Sequence, residues 1–494
     1  MRNAIFKLER PENEPARSYA PGSAEAESLA AEIRRQSGIE TEIPLIIGGQ
    51  EIRTGDVGDV VMPHDHAHRL GVYHKAGRGE VRMAIDAAME ARKKWAALPW
   101  EDRASISLKA AELVSTKYRD ILNAATILGQ SKNFWQAEID SACETADFLR
   151  FNAYNASEIF SLMQPVQSQK TLNKIDFRPL EGFVYAVTPF NFTAIACNLN
   201  MAPAVLGNVT VWKPATASVL SSYYLMRIYR EAGLPDGVIN FVPGSGSVIS
   251  GVALEDRYFA GLHFTGSNDT FNSLWRQISA NLDRYRSYPR IVGETGGKDF
   301  MFVHSSADTD QAATAIVLGA FEYQGQKCSA ASRGYVPRSI WPEIKAKILD
   351  RVSGIRTGDP ADPKTLLGAV IDEKSFDLIA SYLDAAKKSP DVEIITGGNY
   401  DKSKGYFIEP AVLVCGDPKY AAMETELFGP VMSIYVYDDD KYEETLKLCD
   451  ETSAYGLTGS IFGRDTYAVR RAEEILRYAA GNFYVNDKTT GAMV

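Results

Sequence analysis

Cysteine is scarce in this chain and shows no pairing pattern. Cys143, Cys197, Cys328, Cys415 and Cys449 are spread over 494 positions, and no Cys-x-x-Cys occurs. An odd, sparse set of this kind indicates neither a disulfide framework nor a zinc site, and it fits a reducing compartment. Long apolar runs are missing too: nothing approaches the roughly 18 residues that span a bilayer. The opening Met-Arg-Asn-Ala-Ile-Phe-Lys-Leu-Glu-Arg has no apolar core and carries an early acid, so it does not read as a secretory signal. Positive charge is in deficit, with 53 Lys and Arg against 63 Asp and Glu, a net charge of −10. Such a field repels phosphate backbones. Together these absences predict a cytoplasmic protein with no membrane and no nucleic-acid partner.

The chain does have ample material for a core, since 45% of its residues are hydrophobic. Its length predicts two or three domains. Helices are predicted over 22–40, 79–127 and 137–161, where apolar residues such as Val81, Ile85 and Ala88 recur at helical spacing. Residues 166–178 mix polar and apolar positions with few helix signals and predict a β-hairpin or extended flap. From 182 onward, short β-rich runs (Phe183–Val187, Val209–Trp212, Val238–Val242, Gly261–Phe264) alternate with helical stretches. That alternation implies a mostly parallel sheet covered on both faces, with a nucleotide at the carboxyl ends of its strands. A second α/β series starts near Phe300, and the glycines at 293–297 mark a joint between the two.

Three residues supply the parts for covalent chemistry on a carbonyl carbon. Cys328, in Gly325-Gln-Lys-Cys-Ser-Ala, is a nucleophile in a small, flexible segment, and Lys327 beside it predicts a favoured thiolate. Glu294, in Glu-Thr-Gly-Gly-Lys, has glycines that leave room for water and for a moving carboxylate, as a general base requires. Asn191, in Thr-Pro-Phe-Asn-Phe, can donate to an oxyanion. Each has a plain alternative: an inert thiol, a solvated turn acid and a turn asparagine beside proline. Lys213 at a strand end and the loop Phe264-Thr-Gly-Ser-Asn-Asp-Thr before a helix suit ribose and phosphate. His64, His66 and His68 would share one face of a strand, but no other ligand cluster lies near them, and no metal is predicted.

In order along the chain, Thr188-Pro-Phe-Asn-Phe, Trp212-Lys-Pro-Ala, Phe264-Thr-Gly-Ser, Glu294-Thr-Gly-Gly-Lys, Gly325-Gln-Lys-Cys and Glu426-Leu-Phe-Gly-Pro resemble the motifs of the aldehyde dehydrogenase superfamily. The resemblance runs from about residue 45 to the end. Phe321-Glu-Tyr-Gln-Gly-Gln-Lys-Cys-Ser-Ala, Gly405-Tyr-Phe-Ile-Glu-Pro, Tyr455-Gly-Leu-Thr-Gly-Ser and Gly481-Asn-Phe-Tyr-Val-Asn-Asp-Lys-Thr-Thr-Gly-Ala are similar to one branch of it. That branch oxidises L-glutamate γ-semialdehyde, formed from 1-pyrroline-5-carboxylate in proline breakdown, to L-glutamate. The alternatives are another semialdehyde, such as that of succinate, or a catalytically impaired scaffold of the same fold.

The resemblance implies an α/β aldehyde dehydrogenase fold. Residues 1–160 and 181–296 would form a Rossmann-like NAD-binding domain with an N-terminal helical extension, and 297–480 an α/β catalytic domain. Residues 161–180 would form a β-hairpin oligomerisation flap together with 481–494. It implies Cys328 as nucleophile, Glu294 as base for thioester hydrolysis, and Asn191 with the Cys328 N–H as oxyanion donors. Thr188, Lys213, Gly266, Ser267, Asn268, Asp269 and Thr270 would hold adenosine and pyrophosphate, and Glu426 and Phe428 the nicotinamide ribose and ring. Phe192, Ser329, Gly491 and Ala492 would contact the substrate. Thr216 stands where the family often has an acid for the ribose 2′-hydroxyl, so NAD is implied without a firm exclusion of NADP. Family members continue some forty residues past the point where this chain stops, which implies a shortened carboxylate-gripping loop. A homodimer or larger homo-oligomer, and transient contact with a proline dehydrogenase, are also implied.

Overall fold

The computed structural model describes residues 7–162 and 165–490. Two seven-stranded sheets organise it. In the first, the strand order is Arg290–Thr295, Phe259–Gly266, Phe183–Val187, Val209–Lys213, Ile239–Phe241, Leu45–Ile47 and Gln50–Ile52. The first five run parallel, and the last two add an antiparallel edge. Phe183–Val187 is buried at every position, as a parallel strand covered on both faces must be. From it the chain adds strands first on one side and then on the other. The carboxyl ends of Phe183–Val187 and Phe259–Gly266 therefore flank a crevice at which the winding reverses.

The second sheet has the order Val392–Thr396, Ala411–Cys415, Val431–Tyr437, Arg333–Pro337, Phe300–Val303, Thr458–Phe462 and Asn482–Val485. Only Val392–Thr396 is antiparallel. One apolar core, including Trp212, Tyr185 and Phe241, fills the first unit. Two more pack the second sheet, one around Phe302 and Tyr335 and the other around Met301 and Ile316. The sheets change over between Thr295 and Phe300, at the predicted glycine joint.

The helical region expected over 79–127 is three helices, Arg78–Trp95, Trp100–Ser115 and Arg119–Gln130. Pro99 accounts for the first break, since proline cannot continue a helix but can begin one. The stretch 137–161 contains a π-helical segment, Glu138–Glu144, before the helix Thr145–Leu162. Of the hairpin or extended flap expected over 166–178, the chain shows a segment with one bridge, between Ser168 and Thr171, and no strand. A two-stranded ribbon with no third strand or apolar seat is marginal in water, and Val166 and Leu172 here are 88% and 91% exposed. Asn482–Val485, expected to belong with that flap, instead extends the second sheet beside Thr458–Phe462.

Residues 7–20 form no helix or strand, yet side chains far along the chain anchor them. Asn13 Nδ2 and the Glu14 N–H donate to Asp147 at 2.9 and 2.7 Å. The Arg17 N–H and Tyr19 hydroxyl donate to Glu138, both at 2.7 Å. Arg119 joins the cluster by pairing with Glu14 at 2.6 Å and with Glu138.

Candidate active site

The crevice gathers most of the residues singled out by sequence. Glu294 lies near the carboxyl end of strand Arg290–Thr295, in register with Thr265 on the neighbouring strand. The Thr265 hydroxyl donates to Glu294 Oε2 at 3.2 Å. The other oxygen, Oε1, accepts from Cys328 Sγ at 3.2 Å. Cys328 follows a short 3-10 turn, Glu322–Gly325, that contains left-handed residues: Tyr323 (φ 51°), Gln324 (φ 55°) and Gly325 (φ 68°). Asn191 is buried, and its amide donates to the Gln326 carbonyl at 3.1 Å. An amide nitrogen has two hydrogens, so this bond anchors Asn191 to the cysteine loop while leaving a donor. Thiol, carboxylate and amide, 137 residues apart in sequence (328 − 191), converge on one loop.

The electrostatics correct one expectation. Burial and the Glu294 carboxylate push the Cys328 thiol well above the ordinary cysteine range. Lys327 does not reverse this, because its ammonium is 3.0 Å from Glu322, which also pairs with Lys488 at 3.2 Å. The resting sulfur is a thiol hydrogen-bonded to a carboxylate.

The residues expected to hold a dinucleotide line the same strand ends. Lys213 ends its strand half-buried, with burial alone pulling it below the usual lysine value. Its Cε lies 3.9 Å from where a Cβ on Gly246 would stand, at the N-terminus of helix Gly246–Ala253. Gly266 ends its strand, and Ser267 caps helix Asn268–Ala280 by accepting from the Thr270 N–H at 3.3 Å. Asn268 Nδ2 donates to the Gly296 carbonyl, while Asp269 is exposed in the first helical turn. The Thr188 hydroxyl accepts from the Trp212 indole at 2.9 Å. An unpaired lysine beside a helix N-terminus, with a second such terminus across the crevice, suits a pyrophosphate.

Glu426 accepts from the Gly297 N–H at 3.3 Å, and its carboxylate occupies the space a Cβ on Gly296 would fill. Burial and then Asp299 push Glu426 up to about 7. Phe428, at φ 53°, meets Phe190 edge to face at 5.8 Å. Phe192 lies on the other side of Asn191, with the Lys132 ammonium 4.2 Å from its ring centre. The Ser329 carbonyl accepts from Thr489 Oγ1 at 2.8 Å and Thr458 Oγ1 at 3.3 Å. Gly491 and Ala492 lie outside the described residues.

Sequence reasoning missed Lys132 and Asp140, an ion pair of 2.7 Å behind Phe192 with both side chains 1% exposed. The glycines at 244–251 gain meaning only from the neighbouring Lys213. The histidines diverge. His66 and His68 contact the Lys402 and Ser37 carbonyls, each at 2.9 Å, and His64 faces Asp359 at 3.6 Å beside a cleft of about 430 Å³. Among the described residues no group of three or more His, Cys, Asp or Glu could hold a metal ion, and no helix is long and apolar enough to cross a membrane.

The model of the aldehyde dehydrogenase family matches residues 52–494. The chain is 49% identical to the mitochondrial delta-1-pyrroline-5-carboxylate dehydrogenase of Dictyostelium discoideum, over 99% of this chain and 88% of that protein. To the mitochondrial enzyme of the same name from Homo sapiens it is 47% identical, over 98% and 86%. Among solved structures, the delta-pyrroline-5-carboxylate dehydrogenase of Mycobacterium tuberculosis bound with NAD aligns with a TM-score of 0.96 and 46% identity, over 100% of this chain and 91% of that one.

Proposed function

The chain belongs to the aldehyde dehydrogenase family, and from that premise we propose that it oxidises L-glutamate γ-semialdehyde, the open form of 1-pyrroline-5-carboxylate, to L-glutamate with NAD. The observation that carries the chemistry is the 3.2 Å contact of Cys328 with Glu294, on a loop to which Asn191 is tied. The near full-length likeness to relatives with that activity in their names supports the substrate.

The proposed cycle follows from these groups. Glu294 takes the thiol proton as Cys328 Sγ attacks the aldehyde carbon, because the raised thiol needs a base within reach. Asn191 and the Cys328 N–H hold the oxygen that becomes negative. Bound NAD supplies the acceptor for the hydride that the substrate carbon gives up. A thioester then remains on Cys328. Glu294, having passed its proton to solvent, activates a water that cleaves the thioester, releases the carboxylate product and returns a proton to the Cys328 sulfur. Lys213, the helix N-terminus at Asn268 and Ser267 would hold the pyrophosphate, Thr188 the adenosine side, and Glu426 and Phe428 the nicotinamide end. Phe192 and Ser329 face the substrate. The first sheet serves the cofactor and the second carries the nucleophile.

The exposed apolar residues of 165–178 support a homo-oligomer contact, and a fleeting encounter with a proline dehydrogenase fits a labile substrate. Five unpaired thiols suit a reducing compartment, which we take as the cytoplasm; relatives named as mitochondrial make the mitochondrion the alternative, and cell fractionation decides. NADH absorbance with glutamate and succinate semialdehydes, each with NAD and NADP, tests the function. The glutamate derivative with NAD should give the highest kcat/KM, and a preference for succinate semialdehyde would overturn the substrate assignment.

A further inference from the structure

Asn191 and Phe192 precede a helix that its own sequence does not cap. Helix Thr193–Val205 starts after Phe192, which has an extended backbone and no side-chain bond to the first turn. The first N–H groups of any helix lack partners within it. Here the partner comes from another segment: Asp140 Oδ2 accepts from the Thr193 N–H and Oδ1 from the Ala194 N–H, each at 3.0 Å. A carboxylate in this position also complements the positive end of the helix.

Asp140 has a second commitment. Oδ2 also accepts from the Lys132 ammonium at 2.7 Å. That ammonium lies 4.2 Å from the Phe192 ring centre and 4.5 Å from that of Tyr323, five residues before Cys328. Lys132 thus sits between the strip that carries Asn191 and the strip that carries the nucleophile, and Asp140 holds it there. Gln130 adds a third tie, donating to the Phe190 carbonyl at 2.6 Å.

Asp140 lies in the π-helical segment Glu138–Glu144, a rare backbone form that is frequent at functional sites. Glu138, at the start of that segment, accepts from the Arg17 N–H, the Tyr19 hydroxyl, Arg119 and, at 2.8 Å, Asn123. The segment is fixed by bonds independent of the catalytic loop, so Asp140 is a rigid point.

We propose that Asp140 is a positioning residue: by capping the Thr193 helix and holding Lys132 between Phe192 and Tyr323, it sets the aim of Asn191 at the oxyanion formed on Cys328. The inference rests on the functional reading above. Asparagine at 140 keeps the size but offers one acceptor oxygen where two N–H groups and an ammonium need partners. A small displacement of an oxyanion donor costs rate without touching the cofactor crevice.

A double-mutant cycle tests it, read as kcat on glutamate semialdehyde at saturating NAD, with KM for NAD and Tm recorded on the same samples. Asp140→Asn should lower kcat about tenfold or more with KM for NAD nearly unchanged. In an Asn191→Ala background it should cost little further, because residues acting through one another are not additive. A wild-type kcat in Asp140→Asn, or losses that multiply in the double variant, overturns the proposal. A wild-type rate in Asn191→Ala overturns the functional reading and this inference with it, whereas multiplying losses overturn this inference alone. Should Asp140→Asn fail to fold, Lys132→Met with Asp140→Asn removes both buried charges together. That protein keeps the low kcat if the cap positions Asn191, and a wild-type kcat in it overturns the proposal.

Discussion

In the proposed cycle Glu294 acts twice, and one substitution separates the two acts. Its carboxylate raises the Cys328 thiol by charge and by accepting its hydrogen bond. Glu294→Gln removes that negative charge, which favours the thiolate, so the pH midpoint for alkylation of Cys328 should fall toward the free-cysteine value of about 8.5. The wild-type midpoint should lie above it. The same variant, whose thiol ionises more readily and so attacks without that base, should form one burst of NADH and then stall, since no base remains for hydrolysis; rapid mixing checks this, and steady turnover at the normal rate would refute the role. Cys328 and Glu294 stand out in the sequence because small or turn-forming neighbours surround them, and Asn191 because it closely follows a proline. The effect of Lys327 was misread because its neutralising partner, Glu322, is five positions away and meets it only through the 3-10 turn. Asp140 and Lys132 were invisible for a related reason. A buried ion pair interrupts helical periodicity without leaving a pattern of its own.

At the scale of elements, the cysteine loop depends on one glycine. Gly325 has φ +68°, and a Cβ there would stand 2.3 Å from the Gly429 carbonyl oxygen. Gly325→Ala must strain its backbone and push the loop from residue 429, a cost on the order of 1–3 kcal/mol. A lowered Tm together with a fall in kcat larger than any rise in KM is expected; unchanged values of both would show that the loop tolerates the shift. Strands such as Phe183–Val187 were legible because they are apolar throughout, and helices because they end in turn signals such as Gly233. Which form 166–178 takes, hairpin or extended flap, was not, since alternation of polar and apolar residues states a preference, and only a neighbouring strand turns that preference into a ladder.

For the whole molecule, Val166 and Leu172 present apolar surface that the described residues leave uncovered. If a second copy covers it, Val166→Asp with Leu172→Asp should shift the species in solution to a lower mass by light scattering, and an unchanged mass would rule that contact out. The segment at the front of the chain carries a different consequence. Asn13 waits for a partner 134 residues ahead, and the Arg17 amide for one 121 residues ahead. Translation delivers those partners later than residues 13–19, which are seated only after the helices from Arg119 to Leu162 have emerged. In this corner of the fold the order of synthesis and the order of seating differ, because residues 13–19 have no fixed place until Glu138 and Asp147 exist.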